Sequence, residues 1–146
     1  MPGIVVGVDG STGSQRALEW AAREAALQHA ALTVLTVHQV MASAWTGLPV
    51  TYPADADAQE VARKAAEEQV AKVTSELGDA QPASVTVKAV NGLVTQELVA
   101  ASQDADLLVV GSRGAGGFAS LVLGSVSSQV VSHAACPVVV IPPSGR

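Results

Sequence analysis

Short apolar runs rich in β-branched residues alternate along this chain with longer stretches of helical period, and that alternation narrows the fold more than any other feature. The runs are Ile4–Val8, Leu32–Val37, Leu107–Val110 and Pro137–Ile141, and a further strand, Val85–Val90, alternates with Thr86 and Lys88 as an edge strand does. Continuous apolar runs of this length mark strands buried on both faces, as in parallel sheets covered by helices. Between the first two runs, Leu18, Ala22, Ala25 and His29 recur at intervals of 4, 3 and 4, which is one face of an α-helix. Thr12 and Gln15 have capping-box spacing at its start, and Trp20, off the stripe, is placed to cover a sheet edge or a partner surface. Asp57 with Glu60 opens a second helix running to about Leu77, Leu93–Gln103 forms a third, and a fourth follows Gly124.

The segment Met41–Asp55 holds Gly47, Pro49 and Pro53 without a sustained period and is expected to be a long loop. Asn91-Gly92 reads as a turn. Five strands alternating with four helices predict an α/β domain: an open five-stranded parallel sheet, Rossmann-like, with helices on both faces and right-handed crossovers. The 146 residues form one expected domain, 1–146, with Pro142–Arg146 as a frayed tail.

Composition excludes several function classes. A net charge of −5 without a Lys/Arg cluster argues against a nucleic-acid partner. Cys136 stands alone, which rules out an internal disulfide or a multi-cysteine metal site, and its neighbours Ala135 and Pro137 mark it as a small buried residue. His38 and His133 are isolated, and no Gly-x-Ser-x-Gly elbow is present. No apolar run approaches the ~20 residues that cross a bilayer. The N-terminus lacks a basic leader. No membrane association is therefore expected, and the expected location is cytoplasmic.

The chemistry concentrates at two strand ends. Strand one ends in Asp9-Gly10-Ser11, and strand four ends in Gly111-Ser112-Arg113-Gly114, followed nine residues later by Gly124-Ser125 and then Val126 and Ser127 at a helix start. In open parallel sheets ligands bind beyond the carboxyl ends of strands where the strand order reverses. Glycines allow close backbone approach, and a helix start offers unpaired N–H groups at the positive end of its dipole. Together these suit a phosphate group. The amides around Gly114 and from Gly124 to Ser127, the Ser125 and Ser127 hydroxyls and the Arg113 guanidinium can surround a triphosphate. Asp9 is placed to hold a ribose hydroxyl or a Mg²⁺ ion. The plain alternatives stay open at this level: Asp9 closing an Asx turn, Ser125 serving as an N-cap, and the glycines acting as turn formers.

Val5-Val-Gly-Val-Asp9-Gly-Ser11, the pattern Gly111-x2-Gly114-x9-Gly124-Ser125, and Cys136-Pro137-Val-Val-Val together resemble the universal stress protein family over nearly the whole chain. The glycine spacing is that of the family's ATP-binding branch. The resemblance implies strand order 3-2-1-4-5, with ATP between strands one and four and a homodimer joined through strand 137–141. It further implies Asp9 beside ribose and metal, and the Val37 backbone beside adenine. Gly111, Arg113, Gly114, Gly124, Ser125, Val126 and Ser127 would line the ribose and phosphates. Gly124-Ser125 lacks the Gly-Lys-Ser/Thr end of a P-loop. The expectation is therefore an ATP-binding regulatory module of the stress response with at most slow hydrolysis, rather than an efficient enzyme. An ATPase or autophosphorylating phosphoryl-transfer enzyme at the same site, an interaction scaffold with an empty site, and a flavin carrier are the rivals. Scarce aromatics weigh against the flavin.

Overall fold

The structure is a computed structural model that describes residues 3–112 and 124–142. In chain order the elements are β1 (Ile4–Val8), α1 (Thr12–Gln28), β2 (Ala31–Gln39), β3 (Met41–Ala42), β4 (Pro49–Val50), α2 (Pro53–Glu76), β5 (Ser84–Gly92), α3 (Val94–Ser102), β6 (Leu107–Gly111), α4 (Ser125–His133) and β7 (Val138–Ile141). The five long strands form one parallel sheet in the order β5-β2-β1-β6-β7. Counting only these strands, that is the expected 3-2-1-4-5. The order reverses between β1 and β6, the place where such sheets open a crevice.

Strand periodicity separates two cores. Ile4, Val6 and Val8 of β1 join Leu32, Val34 and Val109 under α1 and α2, while Val5, Leu35, Leu108 and Val110 face α3 and α4 with Leu98 and Val130. Successive side chains of a strand point to opposite faces, so one apolar run supplies both layers. The inner face of α1 is nearly all alanine, with Ala17, Ala21, Ala22 and Ala25 fully buried around Leu18. Small side chains bring the helix close to the sheet, which suits a core with few aromatics. On the other face a Cβ at Gly7 would lie 2.9 Å from the Leu98 Cδ2 atom. Glycine there lets α3 rest directly on β1.

Several local expectations are corrected. The Met41–Asp55 segment is not a plain loop: β3 and β4 form an antiparallel hairpin, and α2 begins at Pro53 rather than Asp57. Pro53 suits the first helical position, where no N–H is needed, and the Asp55 carboxylate accepts the Tyr52 N–H at 2.6 Å. Asn91-Gly92 is no turn; both residues continue β5, paired with His38 and Gln39. Full-length pairing with β2 overrides the local turn preference of the dipeptide. β5 is the edge its alternation predicted. Trp20 packs on the core beneath α1. The Thr12–Gln15 box is replaced by Ser11 as the N-cap of α1.

Candidate functional site

The β1 bend is built by its own side chains. Gly10 adopts φ +84°, a left-handed conformation that a side chain would strain. This turn lets the Asp9 Oδ1 atom accept both the Ser11 N–H at 3.0 Å and the Ser11 hydroxyl at 2.5 Å. The Ser11 Oγ atom in turn accepts the Ser14 N–H at 3.1 Å. The buried Ser14 hydroxyl accepts the Asp9 N–H at 3.2 Å and donates to the Ser11 carbonyl at 3.0 Å. The Asx-turn alternative is thus the arrangement observed for Asp9. The exposed Asp9 side chain stays at the mouth of the crevice, held in a fixed direction.

The second bend joins β6 to α4. Gly111 pairs with Ile141, and the Ser112 N–H donates to the Ile141 carbonyl at 2.9 Å. The Ser112 carbonyl accepts the Gly124 N–H at 2.8 Å and the Ser127 hydroxyl at 2.7 Å. Ser127, only 3% exposed, therefore spends its hydroxyl on the loop stem, not on a phosphate. Gly124 is the N-cap of α4 and has no side chain to cap with, so Ser125 is the first helical residue and not the cap. Among the described residues, the N–H groups of Ser125, Val126 and Ser127 and the exposed Ser125 hydroxyl have no partner. Three uncapped amides at the positive end of a helix form a cradle for anionic oxygen.

The register brings the two bends together. β1 and β6 are hydrogen-bonded neighbours with Val6 opposite Val109, so Asp9 and Gly111–Ser112 leave the sheet on adjacent strands, about 5 Å apart in strand spacing. Val37 lies on β2 one residue past the last β1 pair, Val8 with Thr36, on the side of β1 away from β6. Next to it, His38 Nε2 meets the Asp55 carboxylate at 2.8 Å and ties the start of α2 to the end of β2. The Tyr52 N–H, and secondarily His38, hold the Asp55 carboxyl below its ordinary value. The register therefore sets Asp9, Gly10 and Ser11 beside Gly111 and Ser112, and the Ser112–Gly124 bond brings the α4 start at Ser125 and Val126 to the same edge, with Ser127 behind as support. Arg113 and Gly114 lie outside the described residues.

Cys136 is half-buried, its thiol pushed up chiefly by burial, as befits a packing residue. Sequence reasoning missed Ser14, the His38–Asp55 tie and Gln69, which lines a notch beside Asp9. The Ser11-x-x-Ser14 spacing signals the first. Nothing local signals the other two, because His38 and Asp55 are 17 residues apart and the surroundings of Gln69 come from β1 and β2 as well as from its own helix.

The sequence profile of the universal stress protein family matches residues 2–142. A universal stress protein of Mycobacterium tuberculosis is 38% identical over 157 aligned residues, covering 99% of this chain and 49% of that protein. The chain spans about half the length of the curated relatives it matches, 47% and 49% in two of them. Among solved structures, a universal stress protein in complex with cAMP is 26% identical with a TM-score of 0.68, covering 98% of both chains. The Archaeoglobus fulgidus universal stress protein in complex with dAMP is 26% identical with a TM-score of 0.62, covering 97% of this chain and 98% of that one. Among the described residues, no helix is long and apolar enough to cross a membrane.

Proposed function

Because the chain belongs to the universal stress protein family, we propose that its crevice binds an adenine nucleotide, ATP in the first instance, and that occupancy serves a regulatory role in the stress response. The observation that carries this reading is the start of α4, where the Ser125, Val126 and Ser127 amides have no partner among the described residues, on the strand end adjacent to the Asp9-Gly10-Ser11 bend. Helix-start amides stabilise phosphate oxygens through direct hydrogen bonds and the helix dipole. The relatives solved with cAMP and dAMP carry the same class of ligand on a similar fold.

In this arrangement the Ser125 and Val126 amides and the Ser125 hydroxyl hold phosphate, joined by Arg113 and Gly114 of the glycine pattern. Asp9 orients the ribose, and the Val37 backbone borders the base. Ser11 and Ser14 fix the Asp9 bend, and Ser127 fixes the spacing of Ser112 and Gly124. Asp9 and Ser11 offer the oxygen donors that Mg²⁺ prefers, and the ion would neutralise phosphate charge there. The cradle supplies binding but no activated nucleophile, and uniform binding lowers no barrier. Turnover is accordingly slow. A phosphoryl-transfer reading draws on one observation, the exposed Ser125 hydroxyl, without a partner among the described residues, at the phosphate end, which is placed as an acceptor.

The edge strand β7 pairs with its copy in a two-fold homodimer, which covers an apolar edge that otherwise invites aggregation. The proposed location is the cytoplasm. The direct test is to purify the protein without added ligand, denature it and identify what is released, alongside calorimetric titration with ATP. An adenine nucleotide released, or saturable ATP binding, is expected. Neither observed at millimolar ATP refutes the reading. Radiolabelled ATP separates the two activities: label transferred to wild type and lost in Ser125→Ala would establish phosphoryl transfer.

A further inference from the structure

Four large hydrophobic side chains of one short segment, Met41, Trp45, Leu48 and Tyr52, are more than half exposed, and Trp45 reaches 96%. All belong to the β3–β4 hairpin or its descent into α2. Leu48, Val50 and Tyr52 alternate along one extended stretch and so share a face, and the Met41–Val50 pair sets Met41 beside them. Contiguous exposed apolar surface of this kind marks an interaction site.

The backbone beneath it is already fixed. At the tip, the Ser43 N–H donates to the Leu48 carbonyl and the Gly47 N–H to the Ser43 carbonyl, both at 2.8 Å. The Ser43 Oγ atom accepts the Trp45 N–H at 3.2 Å, and Gly47 turns the chain at φ +71°. At the base, the Val40 N–H donates to the Gly92 carbonyl at 3.0 Å, and the His38–Asp55 contact closes the stem. Docking therefore has to order little beyond side chains.

Charge identifies the occupant. No residue from Gln39 to Ala54 is charged, in a chain of net charge −5. Two copies repel each other in general, but here they can meet without opposing like charges, as interface cores require. The four side chains offer on the order of 500 Å² per copy. A two-fold contact then buries about 1,000 Å², the size of a specific but weak interface. The matched curated relatives carry about as many residues again outside the matched half, room for a second unit of this size.

We propose that the β3–β4 hairpin face, anchored by Trp45, docks weakly on the same face of a second copy of this chain. Tryptophan is the side chain most suited to such an anchor. The hairpin base is held to β5, at the end of the sheet opposite β7, so this contact adds to the strand pairing proposed above and does not compete with it.

Light scattering on wild type and Trp45→Ser, from low micromolar to submillimolar concentration, tests this. The wild-type mass rises about twofold across the range, and its tryptophan emission moves to shorter wavelength as it does. Trp45→Ser and Leu48→Ser keep a constant mass. Val140→Pro, monomeric at low micromolar concentration, doubles its mass at the upper end and loses that gain when combined with Trp45→Ser. At low concentration Trp45→Ser melts with wild type, because the indole lies in solvent. A constant wild-type mass, or an equal rise in Trp45→Ser, overturns the inference. So does an emission shift caused by ATP at low micromolar protein without any gain in mass, which would assign the hairpin to the nucleotide crevice of its own chain.

Discussion

Ser127 provides the sharpest test of how the glycine-marked loop works. The reading of the sequence assigns its hydroxyl to phosphate, whereas in the structure that hydroxyl donates to the Ser112 carbonyl at 2.7 Å and the residue is 3% exposed. Ser127→Ala therefore removes a bond present before any nucleotide arrives. The Ser112 carbonyl keeps the Gly124 N–H at 2.8 Å, so no acceptor is orphaned and the loss stays at about 1 kcal/mol. For a domain of this size that lowers Tm by about 2–4 °C. Ser125→Ala is the control: its exposed hydroxyl has no partner among the described residues, so the unliganded Tm changes by less than about 0.5 kcal/mol allows. With ATP the order inverts. A ligand at a hundredfold its Kd adds about 2.7 kcal/mol, and Ser125→Ala diminishes that increment. The assay is thermal unfolding of both variants with and without ATP at fixed protein concentration. An unliganded Ser127→Ala protein as stable as wild type, with a reduced ATP increment, would show that the hydroxyl serves phosphate and would refute the stem assignment.

Three further predictions follow from the same geometry. Gly10→Ala has open space around the added Cβ, so its cost is the strain of φ +84° alone, about 1–2 kcal/mol in chemical denaturation; no loss would mean the turn relaxes freely. Asp55 is held below its ordinary carboxylate value by the Tyr52 N–H and then His38, so its contribution is present above that ordinary value and is lost as pH falls through the lowered one. Denaturant midpoints across the acid range should fall less steeply in Asp55→Asn than in wild type; superimposable slopes would contradict the tie. In β7, Leu108 donates to the Pro137 carbonyl at 3.0 Å and Ser112 to the Ile141 carbonyl at 2.9 Å, which turns the Val138 and Val140 amides toward the open edge. Val140→Pro removes an outward donor while sparing the β6 ladder, so light scattering should show a folded monomer; an unchanged dimeric mass would place the interface elsewhere.

The strands and helices of this protein were legible one by one because their signals are local. A run such as Leu107–Val110 declares a buried strand from its own composition, and the alanine stripe of α1 declares a packed helix from its own period. Alternation of such segments is enough for a parallel α/β sheet, and glycines at the ends of β1 and β6 mark the two bends of the proposed site. Boundaries were less legible: α2 begins four residues before Asp57, since Pro53 and the Asp55–Tyr52 bond open it and His38 anchors it from another strand. The division of labour within the site came from tertiary contacts alone. Two serines two residues apart look equivalent in the chain, yet helical rotation turns Ser125 outward and Ser127 into the Ser112 carbonyl. Gln69 reads as one more polar residue on a solvated helix until the sheet closes beneath it and leaves its oxygen without a donor among the described residues. Local sequence determines which segments fold and in what form; which polar atoms are satisfied and which are not depends on partners that only packing brings within hydrogen-bonding distance.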